Sequence, residues 1–135
     1  PDTYGDVMEV LEKKKQAGVL RAHGVSSHDF GALTRAASTS WVDVVLARIN
    51  HAGKNMDATP EKVIPVLQDM HDGGIGTCGM KVFAAGGLVS DAVKAIRFVL
   101  DQPSVDAITI GMTSREQVDD NVGWVESHRR VLQSA

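Results

Sequence analysis

Apolar positions along the chain switch between two spacings. From Asp6 to Ala17 they fall at Val7, Val10 and Leu11, with Glu12, Lys13, Lys14 and Lys15 on the other side. That is the period of an amphipathic helix. Thr3 is placed to cap its start, with Asp6 three residues on, and Gly18 to close its end. Val19 to Val25 is short and β-rich and reads as a strand. His28 to Ala37 reads as a helix, with Phe30, Leu33 and Ala37 on one face. Val42 to Ala47 is an almost unbroken apolar run, as expected of a strand covered on both faces.

The second half repeats the alternation. Asn50 to Ala58 is a loop rich in Asn, Gly and Asp. Thr59-Pro60 then opens a helix, with Thr59 as N-cap and Pro60 at its first position. Val63, Leu67 and Met70 form its inner stripe, and Gly73-Gly74 ends it. Ile75 to Met80 is a third strand, and Lys81 to Gly87 a glycine-containing loop. Ser90 to Asp101 is a helix with Val93, Ile96 and Leu100 inward, broken by Gln102-Pro103. Val105 to Ile110 is the fourth strand. Ser114 begins a last helix, with Gln117 completing a capping box and Val118, Val122 and Val125 lining one face.

The order is a helix followed by four βα units, each about 30 residues long. Sequential βα units build parallel strands joined by right-handed crossovers. The expected fold class is therefore α/β, with one domain over residues 1–135, no sequence repeat and no linker.

Composition narrows the function. The chain has 135 residues, 43% apolar and 23% charged, so it can bury a real core. A net charge of -3 gives no general grip on nucleic acid or anionic lipid. Aromatic residues are 4%, too few for base-stacking platforms. No apolar run has the length of a membrane helix, and no signal-like start is visible. Pro1 in place of Met is read as a start that lies upstream. Cys78 is the single cysteine, read as a small buried apolar residue. The histidines form no i, i+4 pair and no Cys–His set, so no metal site is expected. His71 and His128 are read as helix surface and His23 as packed within a strand. No G-x-S-x-G elbow is present.

Parallel α/β folds bind ligands at the carboxyl ends of their strands. That selects Gly24 to His28, Arg48 to Asn55, Lys81 to Gly87, and Gly111 to Gln117. Ser26 and Ser27 can hold an amide or carbonyl, or Ser27 can simply cap the next helix. The loop after Met80 lets backbone approach a phosphate, with Lys81 adding charge, or is an ordinary solvated loop. Gly111 to Gln117 joins a strand to a helix N-terminus, where free N–H groups favour an anion. Thr113 and Ser114 add hydroxyls there, and Arg115 a forked cation. Asp120 and Asn121 lie one turn further, in reach of a ribose or adenine edge. The plainer reading is a capping box with a surface Arg.

GVSSHDF after one strand, MKVFAAGG after another and TIGMTSREQVDDNV near the end resemble the C-terminal half of an aldo/keto reductase. DATPEKVIPVLQDMHDGGIG and AIRFVLDQPSVDAITIGM are similar to the same family, so the likeness covers nearly the whole chain. The resemblance implies strands five to eight of a (β/α)8 barrel that binds NADPH, with NADH as the variant, and reduces a small carbonyl substrate. It implies that Ser26 and Ser27 hold the nicotinamide carboxamide and that Met80 packs on the nicotinamide face. It implies that Lys81 and the loop through Gly86 and Gly87 cover the pyrophosphate. Thr113, Gln117, Asp120 and Asn121 then match positions holding the 2′-phosphate and adenine, with Ser114 and Arg115 beside them. Departures are Ser27, where Asn is commoner, Met80, often aromatic, and Leu46, where many members have Gln.

The family's catalytic Asp, Tyr, Lys and His come from the first four strands and have no counterpart here. The expectation is a cofactor-binding half that binds NADPH and reduces nothing alone. A full barrel needs about 250 residues, so the length also says half a barrel. Exposed edge strands then call for self-association. One alternative is a dimeric half-barrel that cleaves esters, with Lys81, His28 and Ser27 as candidate catalytic residues, and Ser26 and Cys78 nearby. Another is an inactive fragment. Cytoplasm is the default location, or periplasm if an export signal lies upstream.

Overall fold

The computed structural model describes residues 4–133, with side chains through 131. The Thr3 cap lies outside the described residues. Helix α1 (Gly5–Gln16) precedes β1 (Gly24–Ser26), α2 (Phe30–Ala37), β2 (Val44–Arg48), α3 (Pro60–Asp72) and β3 (Gly76–Met80). Two short 3-10 turns, Ala84–Gly86 and Val89–Asp91, lead into α4 (Ala92–Leu100). Then come β4 (Ala107–Ile108) and α5 (Arg115–Gln133). The strands form one parallel sheet in the order β1-β2-β3-β4. Sequence order and sheet order coincide, as in a barrel wall.

One face of the sheet carries the core. Val45 and Ala47 of β2, and Ile49 just after it, are buried with Leu33 of α2, Val63, Leu67 and Met70 of α3, and Ile96 and Val99 of α4. Strand side chains alternate, so Val44, Leu46 and Arg48 take the other face, where they are only partly covered. Ser26, Leu46, Cys78 and Ala107 are in register across that face. The continuous apolar run of β2 suggested cover on both faces. In this chain only the helix side is packed. The third strand approaches the core closely through Gly79, where a Cβ would lie 2.9 Å from Ile49 Cγ2.

Helix ends follow the sequence signals well. Gly18, at φ +72°, reverses the chain after α1, and the Gly18 and Val19 N–H groups bond the Lys15 and Lys14 carbonyls at 2.9 and 3.0 Å. Pro60 opens α3, although the Thr59 side chain makes no cap hydrogen bond. Gly73 ends it. Asp29, not Ser27, caps α2 by accepting from the Ala32 N–H at 2.8 Å.

Several faces and bounds differ from the expectations. The first strand starts at Gly24, because residues just after Gly18 are spent on the reversal and Val19 is 67% exposed. The stripe of α1 is not core: Val7 and Val10 are both exposed. In α4 the buried set is Ala92, Ala95, Ile96 and Val99, which keeps Ile96 but is centred about a quarter of a turn from the Val93, Ile96 and Leu100 stripe. Alanines let that helix sit close to the sheet. In α5 the inner stripe is Asn121, Trp124, Val125 and His128, while Val118 and Val122 are exposed. His128 is thus buried rather than surface, with Nε2 2.9 Å from Asp101 Oδ1.

Polar contacts hold α1 instead of a core stripe. Lys15 donates to both carboxylate oxygens of Asp43 at 2.6 Å. Glu12 lies 2.8 Å from Nε2 of His23, whose ring stacks on Trp41 at 4.1 Å. His23 is packed as expected, but it precedes β1 rather than lying within it.

Candidate functional site

The strands end at Ser26, Arg48, Met80 and Ile108, the last followed by the segment 109–111. Between the last two ends lies a cleft of about 340 Å³ lined by Met80, Lys81, Phe83, Gly86, Thr109 and Gly111, among others. Its wall is a bent loop. Lys81, Ala84, Ala85 and Gly86 all have left-handed backbone, at φ 58°, 49°, 57° and 100°. Three of these are not glycine, and such geometry persists only when neighbours enforce it.

The neighbours are two asparagines from the β2–α3 loop. Asn50 is fully buried, and its Nδ2 donates to the Lys54 carbonyl at 2.8 Å and the Lys81 carbonyl at 3.2 Å. Its Oδ1 accepts from the Ala52 and Lys54 N–H groups. Asn55 Nδ2 donates to the Ala84 carbonyl at 2.9 Å. Sequence reasoning missed both asparagines. The Asn-rich composition of the loop was the available signal, but the partners are about 30 residues away and spacing does not reveal them.

Ser26 is exposed on the open face, its hydroxyl 3.8 Å from the Met80 sulfur. The fold thus brings these two expected site residues together above Leu46. Ser27 is buried, and its hydroxyl donates to the Asp29 carbonyl at 2.7 Å. His28 and Lys81 are exposed. Among the described residues no hydrogen bond joins Ser27, His28 and Lys81. Burial pushes the Cys78 thiol up, so it stays protonated at neutral pH.

At the fourth strand end, Ser114 accepts from the Gln117 N–H at 3.2 Å. Gln117 Oε1 accepts from the Thr113 N–H at 2.8 Å, so the box closes one residue earlier than the usual pattern. Thr113, Ser114, Arg115 and Asp120 are all exposed. Arg115 is held only loosely, 3.9 Å from Asp119. Asn121 faces inward and is 7% exposed, apart from that exposed set. Among the described residues no group of three or more His, Cys, Asp or Glu side chains could hold a metal. No described helix is long and apolar enough to cross a membrane.

Comparison with known proteins decides the family. The sequence pattern described as "Aldo/keto reductase family" matches residues 1–95. The chain belongs to the aldo/keto reductase family. Its fold is similar to aldo-keto reductase AKR11C1 from Bacillus halodurans, in holo form, with TM-score 0.68 at 20% identity. That match covers 88% of this chain and 49% of the other. The apo form of the same protein gives TM-score 0.68 at 20% identity, covering 94% and 55%. This aldo/keto reductase chain therefore spans about half the length of those structures. Its architecture is half of a (β/α)8 barrel. No curated protein matches the sequence. The family match ends at residue 95, so the TIGMTSREQVDDNV segment lies beyond it.

Proposed function

We propose that this chain is the cofactor-binding, C-terminal half of an aldo/keto reductase that uses NADPH to reduce a small carbonyl compound. Family membership supports oxidoreductase chemistry of this kind. The observation that carries the finer reading is the left-handed Lys81–Gly86 loop, braced by Asn50 and Asn55 beside an open cleft. Small residues there admit close backbone approach to a diphosphate. Exposed hydroxyls and Arg115 at the start of α5 suit a 2′-phosphate.

When bound, the cofactor supplies a hydride. The chain's own work is positional. Ser26 and Met80 shape the open face where the reacting end would rest, and Ser27 keeps the β1 end rigid through Asp29. Thr113, Ser114, Gln117 and Arg115 would fix the far end. None of the described residues is assigned the proton donor.

Purified chain should quench or enhance NADPH fluorescence saturably and show no aldehyde-dependent NADPH oxidation. Robust oxidation by the chain alone would overturn the division of labour. β1 and β4 each have a single neighbour in the sheet, which supports self-association as a further part of this proposal. Size-exclusion chromatography with light scattering tests it. We place the activity in the cytoplasm, where NADPH is at hand.

A further inference from the structure

Arg48 is the only charged residue in the four strands. It ends β2 on the open face of the sheet, in register with Met80. A cation in a sheet wall is costly unless paired. Here Nη1 lies 3.2 Å from Asp57 Oδ1, and the Asp57 side chain is 7% exposed. The same nitrogen reaches the Asn55 carbonyl at 3.4 Å. Asp57 thus anchors one end of the fork. The Nε–H is buried and has no acceptor. Such a donor is costly when left unmet, and buried donors in folded proteins are rarely left so. The Arg48 side chain as a whole keeps 21% exposure, so it is not sealed from the open face.

Position decides which ligand. The cleft beside the Lys81–Gly86 loop opens between the ends of β3 and β4, while the β2–α3 loop braces that loop from the other side. Arg48 stands instead beside Met80, two residues beyond the Ser26–Leu46 pair on the same face. A planar carboxylate matches an arginine fork through two parallel N–H···O bonds. We propose that Arg48, positioned by Asp57, is an anion receptor for the substrate, and that the substrate is a carbonyl compound carrying a carboxylate, a short oxo acid. This rests on the reading of the site as a reductase cleft and adds the substrate class.

The test is calorimetric titration of the 135-residue chain with pyruvate, inorganic phosphate and acetaldehyde, beside a separate NADPH titration. Pyruvate should bind, acetaldehyde should not, and phosphate should bind at least tenfold more weakly. Arg48→Lys should weaken pyruvate binding about tenfold, because an ammonium lacks the fork. The double variant Arg48→Met with Asp57→Asn removes the whole pair, leaves no orphaned buried charge, and should abolish pyruvate binding while circular dichroism stays native. Unchanged pyruvate affinity in that folded double variant overturns the proposal. So does phosphate binding as well as pyruvate. NADPH binding without pyruvate binding overturns it too, and leaves the cofactor reading standing. Arg48-dependent pyruvate binding without NADPH binding does the reverse.

Discussion

The side-chain amide of Asn50 donates to the Lys81 carbonyl at 3.2 Å and so ties the loop after β2 to the loop after β3. Lys81 is the first left-handed residue of the bend that walls the cleft. One buried asparagine therefore holds the shape of a loop 31 residues away. Asn50→Ala removes two donated and two accepted hydrogen bonds. The expected cost is on the order of 2 kcal/mol, from backbone groups left unpaired. Urea unfolding should show it, and NADPH affinity should fall as the bend relaxes.

The attachment of α1 is electrostatic, and its pH dependence has a definite sign. Lys15, then the His23 N–H, hold the Asp43 carboxyl below its ordinary value of 3.8. His23 does the same to Glu12. A carboxylate with a lowered folded value stabilises above its unfolded value, and that contribution is lost as pH falls through the folded one. Asp43→Asn should therefore be less stable than the parent at pH 7, and the gap should narrow as pH falls below the ordinary carboxyl value of 3.8. Thermal unfolding followed by Trp fluorescence checks this. A constant gap across that range would remove Asp43 ionisation from the account.

Gly79 tests the packing of β3. An added Cβ would lie 2.9 Å from Ile49 Cγ2 and 3.0 Å from Val99 Cγ1. Gly79→Ala should cost about 1–3 kcal/mol by overpacking. Gly123 gives the opposite expectation. It lies within α5, and a Cβ there meets nothing within 4 Å. Gly123→Ala should stabilise by roughly 0.5–1 kcal/mol through helix propensity. Paired urea titrations compare the two.

The sequence disclosed the βα alternation because its signals are local. Gly18, Pro60 and Gly73 punctuate helices by backbone chemistry alone. Val63, Leu67 and Met70 kept their predicted face, with Ile64 and Val66 packed at the margin of the same core. In α5, polar Asn121 and His128 occupy the inner stripe, so exposed valines were mistaken for it. His128 is tolerated there because Asp101 lies beside it. The Arg48–Asp57 and Asn50–Lys81 pairs were illegible for another reason. They depend on where loops meet, which strand pairing sets and spacing does not.

The most direct measurement is a fluorescence titration of the chain with NADPH and NADH, repeated with Arg115→Ala. The account predicts saturable NADPH binding, about tenfold weaker in the variant, with NADH little affected because it lacks the 2′-phosphate. A folded chain that leaves NADPH fluorescence unchanged, or that binds both cofactors equally with and without Arg115, would contradict it.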